Sequence, residues 1–157
     1  MDAACTETES YFRTAPPQRY DLPIQSPTEK HLTHLSKTVV TLLNARCYDH
    51  PWFRQYVSPD VRVDLQGQIT IGLGGFVGNY KHDSADSGRF QVKIGNVTAV
   101  VDEKRNEATV ILSQHLSGYQ SDERKMAGTM LLCWNRIKGQ WINVSVTMLL
   151  GTPEFLV

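Results

Sequence analysis

Two adjacent side chains in this sequence could carry acid–base chemistry without a cofactor. Tyr48 and Asp49 stand side by side, shortly before Trp52. A carboxyl group enclosed by apolar rings has a raised pKa and can exchange a proton near neutral pH. A tyrosine or histidine beside such a group can polarise a carbonyl group or stabilise an enolate. We therefore take Asp49 as the first candidate for a general acid or base, and Tyr48 as its hydrogen-bond donor.

Other polar and aromatic side chains occur in segments that would enclose the same cavity. Asp64 and His115 are the next candidates for catalytic groups. The candidates for substrate contact are Trp52, Tyr56, Phe76, Tyr80, Tyr119, Trp134 and Asn143. Each candidate also has an ordinary structural explanation. Asp49 could cap a helix, Asp64 and His115 could face solvent from strands, and tryptophans most often belong to the core.

Motifs for nucleotides and metals are not matched. The glycine-rich segment 72–78 has Val77 where a dinucleotide-binding loop requires its last glycine. The five histidines have no spacing typical of metal ligands, and the three cysteines form no C-x-x-C pair. The sequence therefore predicts neither a metal site nor a cofactor.

The overall charge and the cysteine count limit the partners and the compartment. Sixteen basic residues balance sixteen acidic ones, so no global field attracts nucleic acid or an anionic membrane. The odd number of cysteines and the absence of a signal-peptide pattern favour a reducing, cytoplasmic compartment. We expect a small apolar metabolite as the partner, with no role for nucleic acid or membranes.

Helical patterns dominate the first half of the chain. Residues 1–25 are polar and contain prolines, which indicates a partly ordered arm before a single domain at 26–157. Ser26 suits a helix N-cap and Pro27 the first helical position, and an apolar stripe then runs to about Cys47. A short helix is expected from Pro51. A third could start at Thr70, although four glycines each weaken it by roughly 1 kcal/mol relative to alanine.

The second half has the two-residue period of strands. We predict strands at 61–65, 89–101, 107–119, 126–137 and 140–150. Helices followed by a strand meander are typical of an α+β domain. The expected fold has N-terminal helices packed in the concave face of a curved, mostly antiparallel sheet, which forms a cone-shaped α+β barrel. Apolar residues on both faces of the strands, such as Leu131 with Leu132, favour a homodimer through the outer sheet face.

The order of these elements resembles a known superfamily. Tyr48-Asp49 at a helix junction, Trp52 shortly after, the run from Ser58 to Asp64, and a closing hairpin from Cys133 to Trp141 are similar to the SnoaL-like branch of the nuclear transport factor 2-like superfamily. The similarity covers about residues 30–150. It implies a pocket between the helices and the sheet. It also implies cofactor-independent chemistry, often in secondary metabolism.

Within that branch, the scytalone-dehydratase-like enzymes use a tyrosine–aspartate pair that matches Tyr48-Asp49. Their further catalytic tyrosine corresponds to Leu65, and their two catalytic histidines fall at about Val92 and near Tyr119. The resemblance therefore implies the fold, the place of the pocket and the Tyr48-Asp49 pair, but not dehydration of scytalone.

Three functions are consistent with the sequence. The first is a lyase, isomerase or cyclase that acts on a small apolar metabolite by acid–base chemistry. The second is a noncatalytic module that dimerises through the outer sheet face. The third is a carrier for a small lipid-like ligand.

Overall fold

The structure, a computed structural model, describes residues 25–85, 90–118 and 126–153. The helices are α1 (Pro27–Asn44), α2 (Pro51–Tyr56) and α3 (Leu73–Ala85). The strands are β1 (Val57–Leu65), β2 (Gln68–Ile71), β3 (Gln91–Asp102), β4 (Glu107–Ser117), β5 (Met126–Ile137) and β6 (Gln140–Pro153). The predicted α+β class is confirmed. Most of the predicted arm, together with Tyr119, lies outside the described residues.

The strands form one open sheet in the order β2-β1-β6-β5-β4-β3, and the helices pack against its inner face. All neighbouring strands are antiparallel except β1 and β6, which run parallel. A parallel pair requires a long connection, and here it spans most of the domain. The mostly antiparallel sheet with helices on one face agrees with the sequence prediction.

Helix α1 forms where its capping signals and apolar spacing predict it. The backbone N–H of Glu29 donates to Ser26 Oγ at 3.2 Å, and Pro27 occupies the first turn. Such a cap satisfies one of the N–H groups that lack a partner inside the helix. The buried face of α1 carries apolar residues three and four positions apart, among them Leu32, Leu35, Val39 and Leu43.

A buried tryptophan joins this helix to the centre of the sheet. Trp134 on β5 is fully buried, and its Nε1 donates to Ser36 Oγ of α1 at 3.1 Å. Ser36 is itself fully buried, so the indole N–H and the hydroxyl satisfy each other away from water. The side chain predicted as a substrate contact therefore belongs to the core between α1 and the sheet.

The segment after β1 differs from the prediction. Thr70 lies in strand β2 and does not cap a helix, because residues 68–71 pair with the edge of β1. The turn between the two strands is Gln66-Gly67, and both residues have positive φ, as the right-handed twist of a two-residue hairpin requires. Helix α3 begins instead after Gly72, whose φ is +102° and whose N–H donates to Val61 O at 2.8 Å.

The middle of the outer face of β4, β5 and β6 carries uncharged side chains, between Glu107 and His115 at the two ends of β4. Alternation with buried residues places these side chains there: Thr109, Ile111, Ser113, Thr129, Leu131, Cys133, Ser145, Thr147 and Leu149. Leu149 is 51% exposed and the others are half-buried. The cores of protein interfaces are depleted of charged residues, so this face agrees with the predicted homodimer, which stays a prediction.

The buried contact between Trp134 and Ser36 leads to a test of stability. Ser36→Ala leaves the indole N–H of Trp134 without a partner in the core, and we expect a loss of about 1–3 kcal/mol in the free energy of unfolding. Urea unfolding followed by circular dichroism measures it. Thr38→Ala is the control, because its hydroxyl donates to His34 O at an exposed position. That variant should lose less than about 0.5 kcal/mol. Equal losses in the two variants would contradict the role given to Ser36.

Candidate functional site: an apolar cavity and a polar groove

A cavity of about 40 Å³ lies between the helices and the inner face of the sheet. It is lined by Leu43, Val63, Leu65, Phe76, Tyr80, Phe90, Leu116, Met130, Val146 and Met148. These residues come from α1, α3, four strands of the sheet and Phe90 just before β3, so the cavity is the place where the layers of the domain meet. Among its lining residues, only Tyr80 has a polar side-chain group.

The amide of Asn44 holds one wall of this cavity. Its Nδ2 donates to Val92 O at 2.7 Å, and its Oδ1 accepts from Val92 N at 3.0 Å. The same Oδ1 accepts from the hydroxyl of Tyr80 at 2.6 Å. The end of α1, helix α3 and edge strand β3 are therefore joined through one side chain. The hydroxyl of Tyr80 is engaged there while its ring lines the cavity.

Arg46 reinforces the same corner. It lies in the left-handed region with a φ of 60°, and its guanidinium group donates to Phe90 O at 2.7 Å and to Leu43 O at 3.3 Å. Leu43 and Phe90 both line the cavity, and the Phe90 ring packs on the Tyr80 ring with centroids 4.9 Å apart. This corner of the cavity is thus fixed by hydrogen bonds to the backbone on both sides.

Tyr48 and Asp49 line a different hollow, a groove of about 250 Å³ between α2 and α3. The groove is lined by Tyr48, Asp49, His50, Phe53, Arg54, Leu73, Gly74, Val77, Gly78 and Lys81. Asp49 is exposed, and Lys81 Nζ lies 5.0 Å from the centre of the Tyr48 ring. The groove brings a phenol, a carboxylate, an imidazole and two cations to one opening on the surface.

His50, and not Asp49, caps helix α2. Its Nδ1 accepts from Trp52 N at 3.1 Å, so in the neutral ring the proton resides on Nε2. The sequence had offered Asp49 as a possible cap. Because His50 takes that position, the carboxylate of Asp49 is not used as the cap of this helix and lines the groove.

The other two predicted catalytic residues lie apart from this pair. Asp64 is on the outer side of β1, where its Oδ1 accepts from Gly67 N at 2.8 Å and its Oδ2 lies 3.9 Å from Arg62. It stabilises the turn into β2. His115 is exposed on the outer side of β4. Neither residue lines the cavity or the groove, so the structure does not assemble the four candidates into one site.

The predicted substrate contacts are also divided. Phe76 and Tyr80 line the cavity. Trp52 and Tyr56 pack against each other on α2 with ring centroids 5.1 Å apart, outside the cavity lining. Asn143 is fully buried in the sheet, where its Nδ2 donates to Cys133 O and Ser145 O at an irregularity between β5 and β6.

Leu65 as a lining residue and Gln114 as a buried polar residue were not predicted from the sequence. Gln114 is 1% exposed on β4, and within the described part of the chain neither its Nε2 nor its Oε1 has a hydrogen-bond partner. The burial of Gln114 could have been predicted from the sequence, because Gln114 lies two residues from both Leu112 and Leu116, which face inward from the same strand. The period of a strand predicts which face a residue takes, whatever its polarity.

Comparisons with known proteins locate the fold among solved structures. No family model matches the sequence, and no curated protein matches it either. An NTF2-like protein of unknown function from Pseudomonas putida superposes with a TM-score of 0.63 at 14% identity, covering 77% of this chain and 84% of that one. A proposed ketosteroid isomerase from Shewanella frigidimarina gives 0.61 at 13% identity, covering 73% and 91%.

The fold also occurs in a kinase hub. The CaMKII hub of S. rosetta superposes with a TM-score of 0.66 at 11% identity, covering 82% of this chain and 100% of that one. Identity this low shows the fold alone. Among the described residues, no helix is long and apolar enough to cross a membrane. These comparisons and the geometry together show that this chain has the NTF2-like α+β fold.

Proposed function

We propose that this domain binds a small, predominantly apolar molecule in the cavity between α1, α3 and the sheet. The supporting observation is the lining, in which nine apolar side chains accompany one tyrosine. Protein interiors are close-packed, and an empty apolar cavity forfeits dispersion contacts. An apolar ligand that fills the hollow restores those contacts without leaving a polar group of its own unsatisfied.

Two methionines allow the cavity to change size. At about 40 Å³ it is smaller than the roughly 150 Å³ cavity that accepts benzene in another protein core, so a ligand must displace part of the lining. Met130 and Met148 both line it. Their unbranched side chains have three rotatable bonds and adapt to irregular space. Adjustment of these two side chains is the proposed route by which the cavity accommodates a ring.

The composition of the cavity favours binding over proton transfer at this position. Among the described residues, those that line the cavity include no carboxylate and no imidazole. Leu65 stands there at the position where the SnoaL-like resemblance expects a catalytic tyrosine. We therefore propose that this chain is related to the SnoaL-like branch. It keeps the position of the pocket, while apolar residues replace the proton-transferring side chains in the pocket lining.

Acid–base catalysis is the second candidate function, located at the groove between α2 and α3. It is supported by one observation: Tyr48 and Asp49 line that groove together with His50. A carboxylate next to a phenol and an imidazole has the groups that enolisation requires. The similarity to a proposed ketosteroid isomerase is compatible with a lyase, isomerase or cyclase of this kind.

The cavity proposal is tested by filling the hollow. Val146→Leu adds a methylene group to a lining residue, and we expect it to weaken benzene binding at least about fivefold, since one methylene is worth about 1 kcal/mol and the larger side chain takes space from the ring. Isothermal titration with benzene measures this. Val100→Leu is the matched control at a position 59% exposed on β3, and it should bind as the wild type does. The proposal fails if the wild type does not bind benzene, or if Val146→Leu binds it equally well.

The catalytic candidate is tested by exchange of carbon-bound protons. We expect the wild-type protein to accelerate exchange of the α-protons of cyclohexanone in D₂O, followed by proton NMR. Asp49→Asn should lower the acceleration by about a hundredfold or more, because the amide cannot accept the proton. Asp60→Asn, at an exposed position outside the groove, is the control. An unchanged rate in Asp49→Asn would remove this carboxylate from the mechanism.

A further inference from the structure

The side chain of Gln114 has an unusual environment for a primary amide. It is 1% exposed on the inner face of β4, and neither amide atom has a hydrogen-bond partner among the described residues. Most buried polar side-chain atoms in proteins have at least one partner. Leaving a buried donor and a buried acceptor unmet lowers stability, whereas a leucine of similar size would avoid that penalty.

The sheet leaves space for this amide through a glycine. Gln114 pairs with Gly128 on β5, and a β-carbon added to Gly128 would lie 3.3 Å from Gln114 Nε2. The amide therefore lies over the glycine, where a larger residue would press on it. Because residue 128 is a glycine, the Nε2 atom of Gln114 can lie against the backbone of β5.

The amide is next to the proposed binding cavity. Leu116 is the next residue on the same face of β4, and Met130 is the next on the same face of β5. Both line the cavity. A ligand that enlarges the cavity by displacing Met130 would thus come within reach of Gln114, which offers one acceptor and two N–H donors.

We propose that Gln114 is the polar recognition group for the ligand of this cavity. The ligand class that fits is a small ring bearing a neighbouring donor and acceptor, such as a lactam. The ring carbonyl accepts from Gln114 Nε2, and the ring N–H donates to Gln114 Oε1. This inference rests on the proposed function, that is, on the cavity binding a small apolar molecule.

Benzene and 2-pyridone are suitable probes because both are six-membered rings, and only 2-pyridone has the lactam group. We expect Gln114→Leu to weaken 2-pyridone binding about tenfold, through loss of two neutral hydrogen bonds, and to leave benzene affinity within twofold. Gln91→Leu, at an exposed position on β3, is the matched control and should change neither affinity. In the wild type, 2-pyridone should shift the side-chain NH₂ signal of Gln114 in a nitrogen–proton NMR spectrum. That signal is assigned as the one that is missing from the spectrum of the Gln114→Leu variant.

The two proposals fail in different ways. If the wild type binds neither probe, the proposed function is wrong and this inference falls with it. If benzene binds and Gln114→Leu keeps its full affinity for 2-pyridone, the cavity proposal stands and the role of Gln114 is overturned. The melting temperature of Gln114→Leu gives a second readout. A value equal to or above that of the wild type supports a group kept for a ligand, and a clear fall would assign the amide to internal structure.

Discussion

The structure depends on the amide of Asn44. This single side chain pairs with both backbone groups of Val92 and accepts the hydroxyl proton of Tyr80, so it joins the end of α1 to α3 and to edge strand β3. Each of these hydrogen bonds is worth about 1 kcal/mol net, and leaving such buried groups unpaired would be more unfavourable still. Because Leu43 precedes Asn44 and Tyr80 binds it, the same contact fixes one wall of the cavity.

The four side chains predicted as catalytic are separated from the cavity. Tyr48 and Asp49 open onto the groove between α2 and α3, while Asp64 and His115 lie on the outer side of the sheet. The cavity keeps apolar side chains and the engaged hydroxyl of Tyr80. Dispersion and the removal of apolar surface from water therefore favour a ligand there. The NTF2-like fold supplies the position of the hollow, and the side chains decide what it can accept.

Much of the fold could be predicted from local patterns, whereas the site could not. The Ser26 cap with Pro27 and the two-residue period of the later strands have local physical causes, and both were confirmed. The β2 strand was missed because its pairing depends on an unusual Gln66-Gly67 turn. Alternation with Val61 and Val63 already indicated that Asp64 faces outward. Which inward residues enclose a hollow depends on packing between distant elements, so Leu65 and Met148 could not be identified from sequence.

Entry of a small apolar molecule into the cavity beside Met130 and Met148 can be observed directly by NMR. The chain has four methionines, so carbon-13 labelling of their methyl groups gives a spectrum of four signals. During titration with benzene, the Met130 and Met148 signals should shift together and saturate with one dissociation constant. Met126, on the same strand as Met130 but not in the cavity lining, should stay in place. A titration in which neither cavity signal moves, or in which Met126 moves as far as they do, would contradict binding in the cavity.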